Sequence, residues 1–278
     1  NLAAFRDTFR QGVIEQRLLL EALVELEIPA AVLAGCEGPA LPEGESAYRF
    51  DGDAFVALGQ SMGGMYTNLI GAVEPRLSAL VPTGAGGFWS YFILETSLID
   101  GIRGLLGTLL RTDGEALSHL HPAMGLLELA WEAAEPMVYM PRLSRRPLEG
   151  LPSRPVYEPV GRGDSFFPTV VFDAIALAYG HPQAGELVWP SMQESLARGG
   201  LDGVLDYPVA NNLTSAEGDA YTGVVVQSAG DGFSDPHSIY VQVEDIRYQW
   251  GCFLRTAVET GTAVVPAPAP LGTPCPTP

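Results

Sequence analysis

Apolar residues recur near helical spacing at Phe5, Phe9, Val13, Leu18, Leu19, Ala22 and Leu23, with Arg and Glu between them. That spacing predicts one long helix over Leu2 to Leu26, closed at Ile28-Pro29. Residues 35–52, rich in Gly, Pro and Glu, read as a solvated loop. The short apolar run Ala54 to Leu58 suits a strand buried on both faces, and a helix over Met62 to Val73 follows it directly. Leu77 to Val81 is the next buried strand, closed by Gly84-Ala85-Gly86-Gly87. From Phe88 to Ser153 the pattern turns helical and irregular, as expected of an insertion outside a sheet. Alternation then resumes with a strand at Pro155 to Val160, a helix at Thr169 to Tyr179, a strand at Gly223 to Gln227 and a closing helix at Val241 to Thr260. Strands alternating with helices of this length predict a mostly parallel α/β sheet. One domain over 1–263, with its insertion at 88–153, would precede a Pro-rich tail over 264–278 that should be extended and mobile from Pro266 to Pro278.

Composition narrows the function classes. With 278 residues, 47% of them apolar and a mean hydropathy of +0.15, the chain can bury a large core. Its net charge is −18, with fifteen arginines and no lysine, so it lacks the basic face that nucleic acid or an anionic membrane requires. The greasiest stretches, Phe88 to Leu94 and Leu98 to Leu110, are interrupted by Ser90, Glu95, Asp100 and Arg103, which argues against a transmembrane segment. Cys36, Cys252 and Cys275 match no metal-ligand spacing, and neither a metal nor an organic cofactor is expected. If a bridge forms, Cys252 with Cys275 is favoured. That bridge, the composition and a start at Asn1 without methionine together lead to an expectation of a processed or truncated chain that is secreted or periplasmic, with a cytoplasmic location as the alternative.

The most specific signal is Gly59-Gln60-Ser61-Met62-Gly63-Gly64, placed between a strand and a helix. Glycines around the serine allow a turn tight enough to hold Ser61 strained with its hydroxyl at the sheet's edge. The Met62 N–H, at the start of the following helix, could donate to a developing oxyanion.

On this motif the chain resembles the α/β-hydrolase superfamily, in particular secreted bacterial esterases and lipases. Glu74 to Val81 resembles that family's link into the next strand, and Gly161-Arg162-Gly163-Asp164-Ser165-Phe166-Phe167-Pro168 resembles its acid-bearing loop. The resemblance implies an α/β-hydrolase core with a helical cap and a chain order of serine, acid, histidine. His237, in the turn-rich segment Gly230 to His237, is then the expected base. His119 and His121 fall in the insertion, and His181 follows a helix. Asp164 is the expected acid, with Asp173, Asp231 and Asp235 as fallbacks.

The resemblance also implies a sheet with strands upstream of the nucleophile and a second oxyanion donor from an earlier loop. Only sixty residues precede Ser61, with one helix and one or two strands among them and no His-Gly-Gly loop. N-terminal strands are therefore expected to be absent from this chain, and association with a missing N-terminal segment is a possible partnership. Gln60, Phe88, Trp89 and Phe92 are the expected substrate-binding residues, with Leu98, Leu105, Leu106, Leu109 and Leu110 extending a greasy cleft. Arg142, Arg145 and Arg146 read as solvated surface, and Asn212-Leu213-Thr214 is a sequon that chance produces as readily as purpose.

The resulting expectation is a serine hydrolase of neutral, short to medium carboxylic esters, small-molecule or lipid, acting without a cofactor. Acyl transfer on the same triad, or a catalytically silent binding module on the same scaffold, are the alternatives.

Overall fold

The computed structural model describes residues 2–277, so Asn1 and the end of the expected tail at Pro278 lie outside it. The chain opens with α1 (Leu2–Glu25), followed by two short strands, β1 (Glu27–Pro29) and β2 (Ala47–Arg49), paired antiparallel and apart from the main sheet. Next come β3 (Phe55–Gln60), α2 (Met62–Gly71) and β4 (Leu77–Thr83). The insertion follows as α3 (Trp89–Glu95), α4 (Ile102–Leu110), α5 (Pro122–Trp131) and α6 (Pro136–Leu143). The second half holds β5 (Val156–Gly161), α7 (Thr169–Tyr179), β6 (Gln183–Ala184), α8 (Ser191–Ala197), β7 (Val204–Leu205), β8 (Leu213–Thr214), β9 (Ala220–Tyr221) and β10 (Gly223–Ser228). Two helices, α9 (Ile239–Gln242) and α10 (Glu244–Thr260), end the regular structure.

Six strands form the main sheet in the order β3-β4-β5-β10-β6-β7, all parallel, with helices on both faces. A parallel sheet needs both faces covered. One face packs Leu80, Val156, Val160 and Val225 under α2, α7 and the cap, and the other packs Val81, Tyr157, Val224 and Val226 against Ile246 and Phe253 of α10. This is a parallel α/β sheet covered by helices on both faces, consistent with the α/β-hydrolase core that the resemblance implies, with the helical insertion entering between β4 and β5.

Three expectations need correction. Ala54 to Leu58 does not form a strand buried on both faces: β3 is the edge of the sheet, and Phe55, Val56, Ala57 and Leu58 are each half-buried. The 35–52 loop contains β2, whose Arg49 pairs with Glu27 of β1 and with Glu45. The tail is extended but pinned to α10, because Cys275 is bridged to Cys252, Gln249 Nε2 donates to the Pro266 carbonyl at 2.8 Å and Tyr248 Oη donates to the Pro274 carbonyl at 3.1 Å. Four strand segments, β6 to β9, escaped the hydrophobic pattern because each is two residues long.

Candidate active site

Ser61 joins β3 to α2 with φ 58° and ψ −122°, a positive φ that a residue with a Cβ adopts only under strain. The turn is closed by the Ser61 N–H donating to the Thr83 carbonyl at 3.0 Å and the Met65 N–H donating to the Ser61 carbonyl at 3.0 Å. Close packing explains two of the glycines. A Cβ on Gly59 would lie 2.1 Å from the Gly63 carbonyl oxygen, and one on Gly64 would lie 2.8 Å from the Ala85 Cβ. Gly63 faces open space, so the tight position after the serine is Gly64. Met62 is the first residue of α2, where a helix leaves its N–H groups without an internal acceptor.

The acid and base follow neighbouring strands at the centre of the sheet. Asp164 lies just past β5 and His237 past β10, and these two strands pair directly. His237 Nδ1 and Asp164 Oδ2 are 2.8 Å apart, and both residues are 7% exposed. The other oxygen, Oδ1, accepts from the N–H groups of Phe166 at 2.7 Å and Phe167 at 3.0 Å, which fixes the carboxylate's plane. The imidazole lies against Phe166, ring centroids 4.2 Å apart and stacked, with Phe167 at 5.8 Å.

The elbow and the histidine loop meet at β3. Gln60 Nε2 donates to the His237 carbonyl at 3.0 Å. A Cβ on Gly84, at φ +49°, would lie 3.0 Å from that same carbonyl oxygen and 3.8 Å from Asp164 Oδ2. Asp164 and His237 thus meet directly at the C-terminal end of the sheet, where open α/β sheets place their ligands, and Ser61 follows β3 at that same end with its Oγ not hydrogen-bonded to His237.

The remaining histidines and acids are occupied elsewhere. His181 is fully buried, stacked on Tyr179 with centroids 5.0 Å apart, and burial depresses its pKa to about 3. His121 Nδ1 caps α5 by accepting from the Ala123 N–H, and His119 packs beside Phe88 and Tyr91. Asp173 accepts from Trp189 Nε1 at 2.8 Å and Ser191 Oγ at 2.6 Å. Asp231 holds its own loop by accepting from the N–H groups of Phe233 and Ser234.

The residues expected to contact substrate have other partners in the structure. Gln60 directs its amide N–H to the histidine loop. Trp89, 2% exposed, belongs to the core: it packs against Phe5, Phe9 and Trp131 and donates Nε1–H to the Ala134 carbonyl. Phe88 lines a cavity of about 460 Å³ in the cap with His119, Leu129 and Glu135. Phe92 packs against Phe167 at 5.0 Å, which places it behind the acid loop. Leu98, Leu105 and Leu109 are exposed, and Leu106 and Leu110 pack within the cap against Leu94, Leu117 and Met124. Phe166, the ring stacked on the base, has no role assigned by the sequence reading; its position two residues after the acid is the available signal.

Two surface readings change as well. Arg145 is half-buried and donates to the Ala178 carbonyl, and both ends of the Asn212 amide bond the backbone of Gly223. Among the described residues no group of three His, Cys, Asp or Glu is placed to hold a metal ion, and no helix is long and apolar enough to cross a membrane.

No protein-family profile and no curated protein matches the chain. Solved structures similar to it include 2,6-dihydroxy-pseudo-oxynicotine hydrolase, at 20% identity and a TM-score of 0.41 over 81% of this chain. Acetyl xylan esterase 1 from Thermoanaerobacterium sp. JW/SL YS485 is similar at 16% identity and a TM-score of 0.34 over 47% of it. Acylaminoacyl peptidase of Pyrococcus horikoshii is similar at 11% identity and a TM-score of 0.35 over 72% of it. The chain spans 45%, 37% and 24% of those three proteins' own lengths, respectively.

Proposed function

We propose that the chain is a serine hydrolase that cleaves neutral carboxylic esters through an acyl-enzyme. The observation that carries this reading is the 2.8 Å contact between His237 Nδ1 and Asp164 Oδ2, at the same end of the sheet as a serine held at φ 58°. With Nδ1–H donated to the carboxylate, His237 Nε2 is the free base. It takes the proton of Ser61 Oγ as that oxygen bonds to the ester carbonyl carbon. The Met62 N–H faces the resulting oxyanion. Collapse of the intermediate breaks the carbon–oxygen bond to the alcohol, and His237 returns the proton to the departing alkoxide. Water then repeats the sequence on the acyl-enzyme and regenerates Ser61.

Two further readings go with it. A second oxyanion donor would come from a further segment at the unpaired edge of β3, where a groove of about 330 Å³ between α1 and the strand passes Gly59, Gly63 and Tyr66. The Cys252–Cys275 bridge supports work in an oxidising compartment outside the cytosol.

Phe166 offers an apolar wall beside the base. Each methylene buried there would contribute about 0.8 kcal/mol, so two carbons could raise kcat/KM by about tenfold. A net charge of −18 repels anionic esters at low salt. The experiment is a p-nitrophenyl ester series from about two to twelve carbons beside a hemisuccinate ester. Hydrolysis that rises with chain length, then levels, and is weak for the anionic ester is expected. No turnover of any ester would overturn the reading, and a preference for the anionic ester would overturn its substrate class.

A further inference from the structure

His237 is held by its main chain as well as by its ring. Its N–H donates to Asp235 Oδ1 at 2.9 Å, and its carbonyl accepts from Gln60 Nε2 at 3.0 Å. The two partners come from opposite sides. Gln60 belongs to β3, one residue before the nucleophile, whereas Asp235 belongs to the histidine's own loop and starts its short helical turn at Pro236.

Asp235 reaches further than a cap. Its Oδ1 also accepts from the Ser165 N–H at 3.2 Å, its Oδ2 accepts from Ser165 Oγ, and its carbonyl accepts from Gln242 Nε2 at 2.7 Å. Ser165 follows the acid Asp164 directly, and its carbonyl accepts from Ser97 Oγ, just beyond α3 of the cap. One carboxylate therefore ties the histidine loop to the acid loop, and Ser97 ties the cap to the same point. Asp231 braces the tip of the loop through the N–H groups of Phe233 and Ser234, but those bonds stay within the loop, whose residues Asp231, Gly232, Phe233, Ser234 and Asp235 are all exposed, Phe233 by 97%.

We propose that Gln60 and Asp235 are positioning residues that clamp the main chain of His237, fixing the base against the nucleophile strand on one side and the acid loop on the other. The inference rests on the serine-hydrolase reading. Gly84 completes the clamp by leaving only enough room for the His237 carbonyl. A base displaced by about 1 Å can cost on the order of 10²-fold in rate without altering substrate affinity.

The test uses the full chain, with kcat and KM on one p-nitrophenyl ester, the rate constant for fluorophosphonate labelling, and circular dichroism to show that each variant is folded. Gln60→Leu and Asp235→Ala should each lower kcat and the labelling rate by about 10- to 100-fold with KM within about twofold. Asp235→Asn should restore activity to within about fivefold of wild type, because its Oδ1 still accepts from both N–H groups and its Nδ2 can donate to Ser165 Oγ. Gln60→Glu, which sets an acceptor against the carbonyl, should behave like Gln60→Leu while keeping the side chain's size.

Gln60→Leu or Asp235→Ala retaining kcat within about threefold, or a loss confined to KM, would overturn the clamp. So would Asp235→Asn being as damaging as Asp235→Ala. Ser61→Ala separates the two levels. If that variant still turns over ester, the serine-hydrolase reading fails; if it is silent while the clamp variants match wild type, only the clamp fails.

Discussion

The two sides of the proposed triad stand on different ground. The acid and base follow β5 and β10, adjacent central strands that are buried throughout except for the last residue of β10. The nucleophile follows β3, an edge strand with one buried residue, Gly59. Ser61 is held instead by α2, in which seven of ten residues are buried, and by its bond to Thr83 on β4. Precision at an edge therefore comes from the helix behind the turn and from side chains that reach across, such as Gln60.

The largest effect expected on this account is at the nucleophile. Ser61→Ala should lower kcat by about 10⁶-fold with little change in Tm, since its hydroxyl makes no hydrogen bond among the described residues, and His237→Ala should be nearly as damaging. Asp164→Asn should cost about 10⁴-fold, because the amide favours the wrong histidine tautomer. Ester assays with matched denaturation curves check all three.

Stability should divide the molecule the same way. Leu80→Ala, at 0% exposure in β4, should destabilise by about 2–5 kcal/mol in urea denaturation. Val56→Ala on half-buried β3 should cost less than about 1 kcal/mol. Equal losses would mean that β3 is covered as well as the centre.

A smaller effect, shared by the centre and the cap, depends on pH. Burial pushes the Glu158 carboxyl on β5 well above its ordinary 4.5, and burial with a hydrogen bond to Glu128 pushes Glu135 up to about 8. In both cases the native state keeps a proton that the unfolded chain has released, so stability falls as pH rises above 4.5, and for Glu135 the fall ends near pH 8. Glu74 works oppositely. Bonds from Arg76 hold it at about 2, so its stabilisation is present above 4.5 and lost as pH falls toward 2. Tm measured from pH 5 to 8 should decline less steeply in Glu158→Gln and Glu135→Gln, and an unchanged slope in both would contradict these environments.

Much of this was legible in the sequence. Strand, elbow and helix around Ser61 announce themselves because backbone sterics demand glycine there, and the loops of Asp164 and His237, each after an apolar strand, follow from the chain order that the resemblance implies. Hidden from the pattern was whatever depends on neighbours. Half-burial of β3 is a property of the sheet order, and an apolar run reads alike at an edge and at a centre. Trp89 and the cap leucines look alike as greasy residues, yet one packs in the core and Leu109 is 69% exposed. Gln60 sits inside the motif, but its partner is 177 residues away, beyond any local signal.

The most direct measurement is fluorophosphonate labelling of the full chain, with mass spectrometry to locate the adduct. The account predicts a single adduct on Ser61, formed at a rate that collapses in His237→Ala. No adduct, or one on another serine such as the exposed Ser165, would contradict it.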